Sequence, residues 1–271
     1  MKFRQLRRFL FSAVIALGWA AGDRAVAADK VGIVLMHGLQ GNPTHAINGL
    51  AATLSGAGYL VETPEMCWSR SRVFDRTLPD CLKEVDAAAA KLKQRGATAI
   101  VVAGQSLGGA AAIAYGATRD GLLGVIGLAP AGDPQAILMP IGKNAETAQE
   151  IAASIAKAQA MVAAGKGDSN ASFVDINQGR TFSVSTTATI YLSFLGPDSL
   201  ANLAPTTAKL RVPLLWVAGT RDPTQHGPHH AFDKAPANPL NRYVSVDSDH
   251  MGTPDASRDA VLAWLKDLAA H

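Results

Sequence analysis

The stretch VVAGQSLGGAAAIA, residues 101–114, decides how this sequence is interpreted. An apolar run ends at Gly104, Ser106 follows two positions later, and small residues continue after Gly108. This G-x-S-x-G pattern is typical of a serine on a sharp turn between a buried strand and a helix. The flanking glycines remove side chains that would crowd such a turn. Because a short motif also occurs by chance, further features are needed to support Ser106 as a nucleophile.

Short apolar runs alternate with longer amphipathic ones along most of the chain. Several of the short runs are apolar at consecutive positions, as expected of strands that are covered on both faces. The alternation predicts an α/β fold, with a mostly parallel sheet of about six strands and helices on both faces. The predicted strands are 31–36, 58–62, 98–103, 123–129, 212–218 and 242–247, and the predicted helices are about 45–56, 79–95, 107–117 and 255–269.

Residues 130–209 interrupt this alternation. They contain an alanine-rich helical stretch at about 145–164 and an irregular segment at 173–200, whose aromatic residues are candidates for the core of a lid. Roughly 80 residues are too many for a simple connection between two core strands. We therefore expect a cap or lid insertion over the carboxyl ends of the strands, where open α/β sheets bind their ligands. The aromatic residues of this segment that we single out as lid candidates are Phe182, Tyr191 and Phe194.

The first 27 residues have the layout of a secretory signal peptide. Four basic residues precede an uncharged, mostly apolar run at 9–22, and Ala25-Val26-Ala27 supplies small residues for cleavage. The apolar run is shorter than the 20 or so residues that a membrane-spanning helix needs. We predict cleavage after Ala27, export to the periplasm or the medium, and a single domain at 28–271.

The predicted cleavage also changes the charge of the protein. It lowers the formal net charge from +3 to −1, so the mature chain has no electrostatic feature that favours nucleic acid. It also leaves no stable membrane anchor. A composition of 48% hydrophobic and 17% charged residues is typical of a folded globular protein. The sequence does not indicate the oligomeric state.

Cys67 and Cys81 are the two cysteines of the chain. In an oxidising compartment they are expected to form a disulfide, and closing a loop of about 15 residues stabilises a fold by roughly 3 kcal/mol. The alternative, a zinc site, is disfavoured because no histidine lies near either cysteine in the sequence.

A nucleophilic serine needs a base, and the base needs a carboxylate to orient it. Asp222 follows the predicted strand at 212–218, and His250 lies between the last predicted strand and the last predicted helix. Both therefore fall at the edge of the sheet where Ser106 is expected. The order Ser, Asp, His is that of α/β-hydrolases. The competing histidines are His37, His45, His226, His229, His230 and His271, and the competing aspartates are Asp198, Asp233, Asp247 and Asp249.

An oxyanion hole of backbone N–H groups is the remaining requirement. The first predicted strand ends in LMHGLQGNP, which places His37 and Gly38 at the first strand–helix turn. We expect the N–H groups of Leu39 and Leu107 to form the hole. His37 is interpreted as a structural residue of this turn rather than as a second base.

Other residues near the predicted site allow two interpretations. Trp68 and Ser69 follow the second strand and could line the substrate pocket or pack beside the disulfide, and Met251 could border the pocket or belong to the core. The histidines at 226, 229 and 230 lie in a Pro/Gly loop, so a solvated surface is favoured over a metal site. No cofactor is predicted, since neither G-x-G-x-x-G nor a Walker lysine is present.

The mature chain resembles the α/β-hydrolases along nearly its whole length. The matching segments are HG at 37–38, GQSLGG at 104–109, GTRDP at 219–223 and DHMGTP at 249–254. The resemblance implies a triad of Ser106, His250 and Asp222 that acts on a small-molecule acyl substrate through an acyl-enzyme. A carboxylic ester is the expected substrate. Thioester or amide cleavage, cofactor-free perhydrolysis, and a non-catalytic exported binding protein on a hydrolase scaffold remain as alternatives.

Overall fold

The structure is a computed structural model that describes residues 30–139 and 145–271. The predicted signal peptide at 1–27 lies outside the described residues. None of the helices in the described residues combines the length and the hydropathy that crossing a membrane requires.

Six of the strands form one parallel sheet, in the order β2-β1-β3-β4-β7-β8. This confirms the predicted α/β fold. The central strands are almost wholly buried, because their consecutive apolar residues face a helical layer on each side. The strands in the described residues are β1 Val31–Met36, β2 Leu60–Glu62, β3 Ala99–Gln105, β4 Gly124–Leu128, β5 Asn170–Asn177, β6 Arg180–Thr187, β7 Leu214–Gly219 and β8 Arg242–Val246.

Helices cover both faces of the sheet. In chain order they are α1 Asn48–Gly56, α2 Leu78–Gln94, α3 Leu107–Thr118, α4 Pro134–Ile137, α5 Ala145–Ala163, α6 Ala188–Leu195, α7 Leu203–Thr207, α8 Thr253–Ala256 and α9 Arg258–Ala269, with a short 3-10 helix at Phe232–Lys234. Alternate residues of each strand point to opposite faces. Ile33 and Leu35 pack with α1 and α9, whereas Val34 and Met36 pack with α2 and α3. The helix predicted at 255–269 is divided at Ser257 into α8 and α9.

The segment between β4 and β7 contains α4 to α7 and an antiparallel hairpin of β5 and β6. The hairpin turns at Gln178 and Gly179, which both have positive φ angles of 50° and 75°, as a two-residue hairpin turn requires. Phe173 of β5 stacks on Tyr191 of α6 at a ring-centroid distance of 4.5 Å. The Thr186 hydroxyl donates a hydrogen bond of 2.9 Å to the carbonyl of Phe74, which joins the hairpin to the main domain.

Cys67 and Cys81 form the expected disulfide, with their Cα atoms 5.7 Å apart. Both residues are fully buried. The bridge links the loop after β2 to the first turn of α2, so it fixes the segment that includes Trp68 against the domain core.

Candidate active site

Ser106 lies in the sharp turn between β3 and α3. Its φ of 58° and ψ of −123° place it in a backbone conformation that a non-glycine residue adopts only under strain. The two glycines of the motif are needed for close packing rather than for φ. A Cβ atom on Gly104 would collide with the backbone of Gly108, and one on Gly108 would lie 2.6 Å from the carbonyl oxygen of His37.

Ser106, His250 and Asp222 form a continuous row of hydrogen bonds. The His250 Nδ1 atom lies 2.6 Å from Asp222 Oδ2, and its Nε2 atom lies 2.9 Å from Ser106 Oγ. A carboxylate only accepts hydrogen bonds, so Nδ1 carries the ring hydrogen and donates to Asp222. Nε2 is then the acceptor for the serine hydroxyl. The structure therefore brings together the three side chains that were predicted from positions far apart in the sequence.

Asp222 is held in its ionised form by its neighbours. Its side chain is fully buried. Burial alone would raise its pKa, but the hydrogen bond and charge of His250, with two hydrogen bonds from Thr224, hold the pKa of Asp222 below its usual value. The Thr224 N–H and hydroxyl donate to Asp222 Oδ1 at 2.9 and 2.8 Å. Asp222 is thus a fixed negative charge that can stabilise an imidazolium.

Polar neighbours fix the loops that carry His250 and Asp222. The Gln105 side-chain amide donates to the carbonyl of His250 at 3.3 Å. Gln225 donates to Thr224 Oγ1 at 3.3 Å and to the Pro130 carbonyl at 3.2 Å. The sequence analysis missed Gln105, Thr224 and Gln225 as site residues. Their proximity to Ser106 and Asp222 in the sequence was the available signal.

The two predicted oxyanion donors border the serine. Leu107 is the first residue of α3, so its N–H has no partner within the helix. Leu39 lies in the turn after β1, which approaches Ser106 so closely that a Cβ on Gly38 would be 2.9 Å from the serine Cβ. Gly41 N–H donates to the Gly38 carbonyl at 3.0 Å and so closes this turn, which we call the oxyanion turn, residues 37–41.

His37 is buried and serves the backbone of the oxyanion turn. Its Nε2 accepts a hydrogen bond of 3.1 Å from the N–H of Met66, and its Nδ1 donates to the Gly38 carbonyl at 2.8 Å. Burial lowers the pKa of His37, which keeps the ring neutral. Both ring nitrogens are occupied in this way, so His37 has the structural position that the sequence analysis expected.

Trp68 also supports the oxyanion turn. Its indole N–H donates to the His37 carbonyl at 2.9 Å, and its own carbonyl accepts from the N–H of Gln40 at 2.9 Å. Trp68 is fully buried, which favours the packing interpretation over the pocket-lining one. Ser69 is likewise buried and donates to Glu65. The disulfide at Cys67 therefore anchors a segment that holds the turn in place.

A narrow cleft of about 30 Å³ opens beside Ser106. One wall is the tip of the β5–β6 hairpin, where the Asn177 amide donates to the Leu39 carbonyl at 3.3 Å and to Gln40 Oε1 at 3.1 Å. Met251 is part of the lining, so it borders the cleft as one of its two interpretations predicted. A larger, open groove of about 580 Å³ lies between α5 and the hairpin, but Ser106 is not among its lining residues.

His45 lines the cleft beside Ser106, whereas the three histidines of the loop after β7 do not. His226 and His229 are exposed, whereas His230 is partly buried and its Nε2 lies 2.7 Å from Oδ2 of the buried Asp133. His230 is therefore not the solvated surface residue that the sequence suggested. It links the loop after β7 to the N-terminus of α4.

Comparison with known proteins agrees with this geometry. The family model described as serine aminopeptidase, S33, matches residues 28–243. The chain belongs to this α/β-hydrolase family. No curated protein matches the sequence.

Solved structures similar to this α/β-hydrolase include esterases and lipases. The Est1E protein of Butyrivibrio proteoclasticus, bound to ferulic acid, superposes with a TM-score of 0.63 and 18% identity, over 92% of this chain and 93% of that one. A monoacylglycerol lipase of Paleococcus ferrophilus gives a TM-score of 0.62 and 18% identity, over 88% and 94%. The thioesterase domain of the curacin biosynthetic pathway gives 0.53 and 17%, over 88% and 91%. At these identities the similarity shows the fold.

Proposed function

We propose that this protein is an exported serine hydrolase that cleaves a carboxylic ester through an acyl-enzyme. The observation that carries the proposal is the row of hydrogen bonds from Asp222 through His250 to Ser106. A serine hydroxyl within 3 Å or so of an oriented, neutral imidazole can be deprotonated as it attacks a carbonyl. Membership in a hydrolase family supports the same conclusion.

The reaction has two halves. In the first, His250 removes the proton of Ser106 as its Oγ attacks the ester carbonyl carbon, and the N–H groups of Leu39 and Leu107 stabilise the oxyanion of the tetrahedral intermediate. His250 then gives this proton to the leaving alcohol as the carbon–oxygen bond breaks. In the second half, His250 deprotonates a water molecule that attacks the acyl-enzyme. Collapse of the new intermediate releases the acid and returns the proton to Ser106.

Substitution of the nucleophile tests the proposal directly. Ser106→Ala is expected to lower the kcat for p-nitrophenyl acetate by about 10⁴-fold or more, because the attacking oxygen is removed while the fold remains. Ser55→Ala, an exposed position on α1, is the matched control and should retain full activity. Labelling by a fluorophosphonate should likewise occur in the wild type and the control only. Full activity in Ser106→Ala would overturn the assignment.

The family description makes amide cleavage the strongest second candidate. An aminopeptidase binds the positively charged N-terminus of a peptide, which a carboxylate near the nucleophile would recognise. Among the described residues that line the cleft, no side chain is a carboxylate. We therefore expect an ester to be cleaved faster than an aminoacyl p-nitroanilide, and a faster reaction with the anilide would favour the peptidase. A thioester and a perhydrolysis assay complete the panel, and a binding protein would react in none of them.

Export is the second part of the proposal. The buried bridge between Cys67 and Cys81 supports it, because structural disulfides persist in oxidising compartments. Expression of the full chain in a bacterium, followed by N-terminal sequencing of the mature protein, is expected to identify Ala28 as its first residue. A protein that stays in the cytoplasm with its N-terminus intact would contradict export, and it would leave the hydrolase assignment unaffected.

A further inference from the structure

The cleft beside Ser106 limits the size of the group that binds there. Its volume is about 30 Å³, and a single water molecule needs about 10–15 Å³ of such space. The cleft is bordered by Leu39, Ser106 and His250, so it adjoins both the proposed oxyanion hole and the base. The enclosed part of the cleft therefore has room beside a substrate carbonyl for one or two further atoms, and a longer chain would extend onto the polar rim of the cleft.

The contacts of the hairpin keep this wall in place. At its tip, Asn177 is hydrogen-bonded to the oxyanion turn, and the Gln178 side-chain amide contacts the Met251 sulfur at 3.6 Å. Further along β6, Thr186 is bonded to the carbonyl of Phe74. The hairpin is thus attached to the main domain at both its tip and its base. The small size of the cleft follows from these attachments.

The lining of the cleft is rich in groups that form hydrogen bonds. Asn42 and His45 are exposed and form the solvent-facing rim, while Asn177 is partly buried in the hairpin wall and Gln178 is exposed at its tip. Asn177 donates through its amide nitrogen, which leaves its Oδ1 atom without a partner among the described residues. Polar groups of this kind bind hydroxyl groups well, and a long alkyl chain would leave them unpaired.

We propose that the substrate is an ester of a short acyl group, of the size of acetyl, with an alcohol that carries further hydroxyl groups. The small cleft disfavours longer acyl chains, which would have to extend onto its polar rim, and the rim at Asn42 and His45 binds the hydroxylated alcohol. A partly acetylated polyol or carbohydrate has this chemistry. The inference rests on the proposed function, because it names the substrate of the same Ser106 site.

A series of p-nitrophenyl esters tests the size limit with one leaving group. The kcat/KM for the acetate is expected to exceed that for the octanoate by about 100-fold or more, with the butyrate in between, because methylene groups that do not fit a pocket discriminate strongly. An octanoate ester cleaved as fast as the acetate would overturn the inference. Labelling of Ser106 by a fluorophosphonate in the same preparation would show that the proposed function still holds in that case.

A variant of the wall shows whether the hairpin sets this limit. Gln178→Ala removes a side chain that lines the cleft and is expected to raise the ratio of butyrate to acetate kcat/KM by about tenfold. Gln149→Ala is the matched control, because Gln149 is an exposed residue of α5 in the same insertion and does not line the cleft. An unchanged ratio in Gln178→Ala would show that the hairpin does not determine acyl size.

The alcohol preference is tested by a pair of acetates that differ in one group. 2-Hydroxyethyl acetate and propyl acetate have similar shapes, but only the former has a terminal hydroxyl. Acid release in a pH-stat is expected to give a kcat/KM about 3- to 10-fold higher for the hydroxylated ester, the range of one net hydrogen bond. Faster cleavage of propyl acetate would overturn the polar part of the inference. Failure to cleave either ester, together with absent fluorophosphonate labelling, would instead refute the proposed function.

Discussion

The parallel sheet and the β5–β6 hairpin contribute to the same cleft in different ways. The sheet carries Ser106, Asp222 and His250 on the turns that follow β3, β7 and β8, and its central strands are buried on both faces. The hairpin has only two strands and depends on α5, α6 and the Phe74 contact for its position. Our proposals therefore assign the chemistry to turns of the buried sheet and the choice of substrate to the hairpin. The following variants test this division.

The largest effect is expected where the sheet orients the base. Asp222→Asn keeps the shape of the side chain but presents an amide that can donate to His250, which favours the tautomer with its hydrogen on Nε2. We predict a fall in kcat of about 10⁴-fold on p-nitrophenyl acetate. Asp233→Asn is the matched control, because Asp233 also contacts a histidine, His229, but on the exposed loop. A near-normal rate in Asp222→Asn would assign the orienting role to another group.

The same substitution of an aspartate by asparagine in the hairpin, Asp175→Asn, should change the stability of the protein rather than its catalytic rate. Asp175 is buried in β5, its carboxylate accepts from the N–H of Ile176 at 2.7 Å, and no ion pair forms with it among the described residues. Burial raises the pKa of Asp175 from its usual 3.8 to about 7. The folded protein therefore binds more protons than the unfolded chain between these pH values, so stability falls as the pH rises from about 4 to 7.

We expect Asp175→Asn to remove this loss. The free energy of unfolding of the variant should exceed that of the wild type by an amount that grows from pH 4 to pH 7. The slope is about 1.4 kcal/mol for each pH unit between the two pKa values, so the difference reaches at most about 4 kcal/mol. Urea unfolding at several pH values measures it. Asp168→Asn, an exposed position in the same insertion, should show no such trend. A difference that does not change with pH would contradict the raised pKa of Asp175.

The same division explains what the sequence could predict. All six strands of the parallel sheet were predicted to within two residues at each end. The four central strands were recognisable because consecutive apolar residues are the signature of strands covered on both faces. Ser106, Asp222 and His250 could be placed because each follows a predicted strand. The predicted disulfide was recognisable because Cys67 and Cys81 have no other possible partner in the chain.

The hairpin was not predicted, for a physical reason. β5 and β6 form an isolated pair, and their sequences mix serine, threonine and asparagine with apolar residues, so neither run has the continuous apolar signal of the core strands. Two such runs around Gln178-Gly179 were the available indication of a two-residue turn. Even that signal would not have brought Asn177 to the oxyanion turn. A contact between residues 138 positions apart depends on how the insertion packs.

The disulfide supports the oxyanion turn from the side of the sheet. Replacing both cysteines, as Cys67→Ala with Cys81→Ala, is expected to lower the free energy of unfolding by about 3 kcal/mol, because the unfolded chain gains the freedom of an open loop. Urea unfolding of the oxidised wild type and the double variant measures this difference. Addition of a reductant should lower the free energy of unfolding of the wild type and leave that of the double variant unchanged. Equal stability of the oxidised wild type and the variant would show that the bridge contributes nothing.

The smallest effect should come from the contact that joins the two regions. Asn177→Leu keeps a side chain of similar size but removes both hydrogen bonds to the oxyanion turn, whose net contribution is about 0.5–1.5 kcal/mol each. If the hairpin helps to hold the Leu39 N–H in position, kcat on p-nitrophenyl acetate should fall by about 3- to 10-fold with a smaller change in KM. Asn170→Leu, an exposed position at the other end of β5, is the matched control. A kcat equal to that of the control would mean that the sheet and its disulfide-anchored loop fix the oxyanion turn alone, and that the hairpin acts only as a wall.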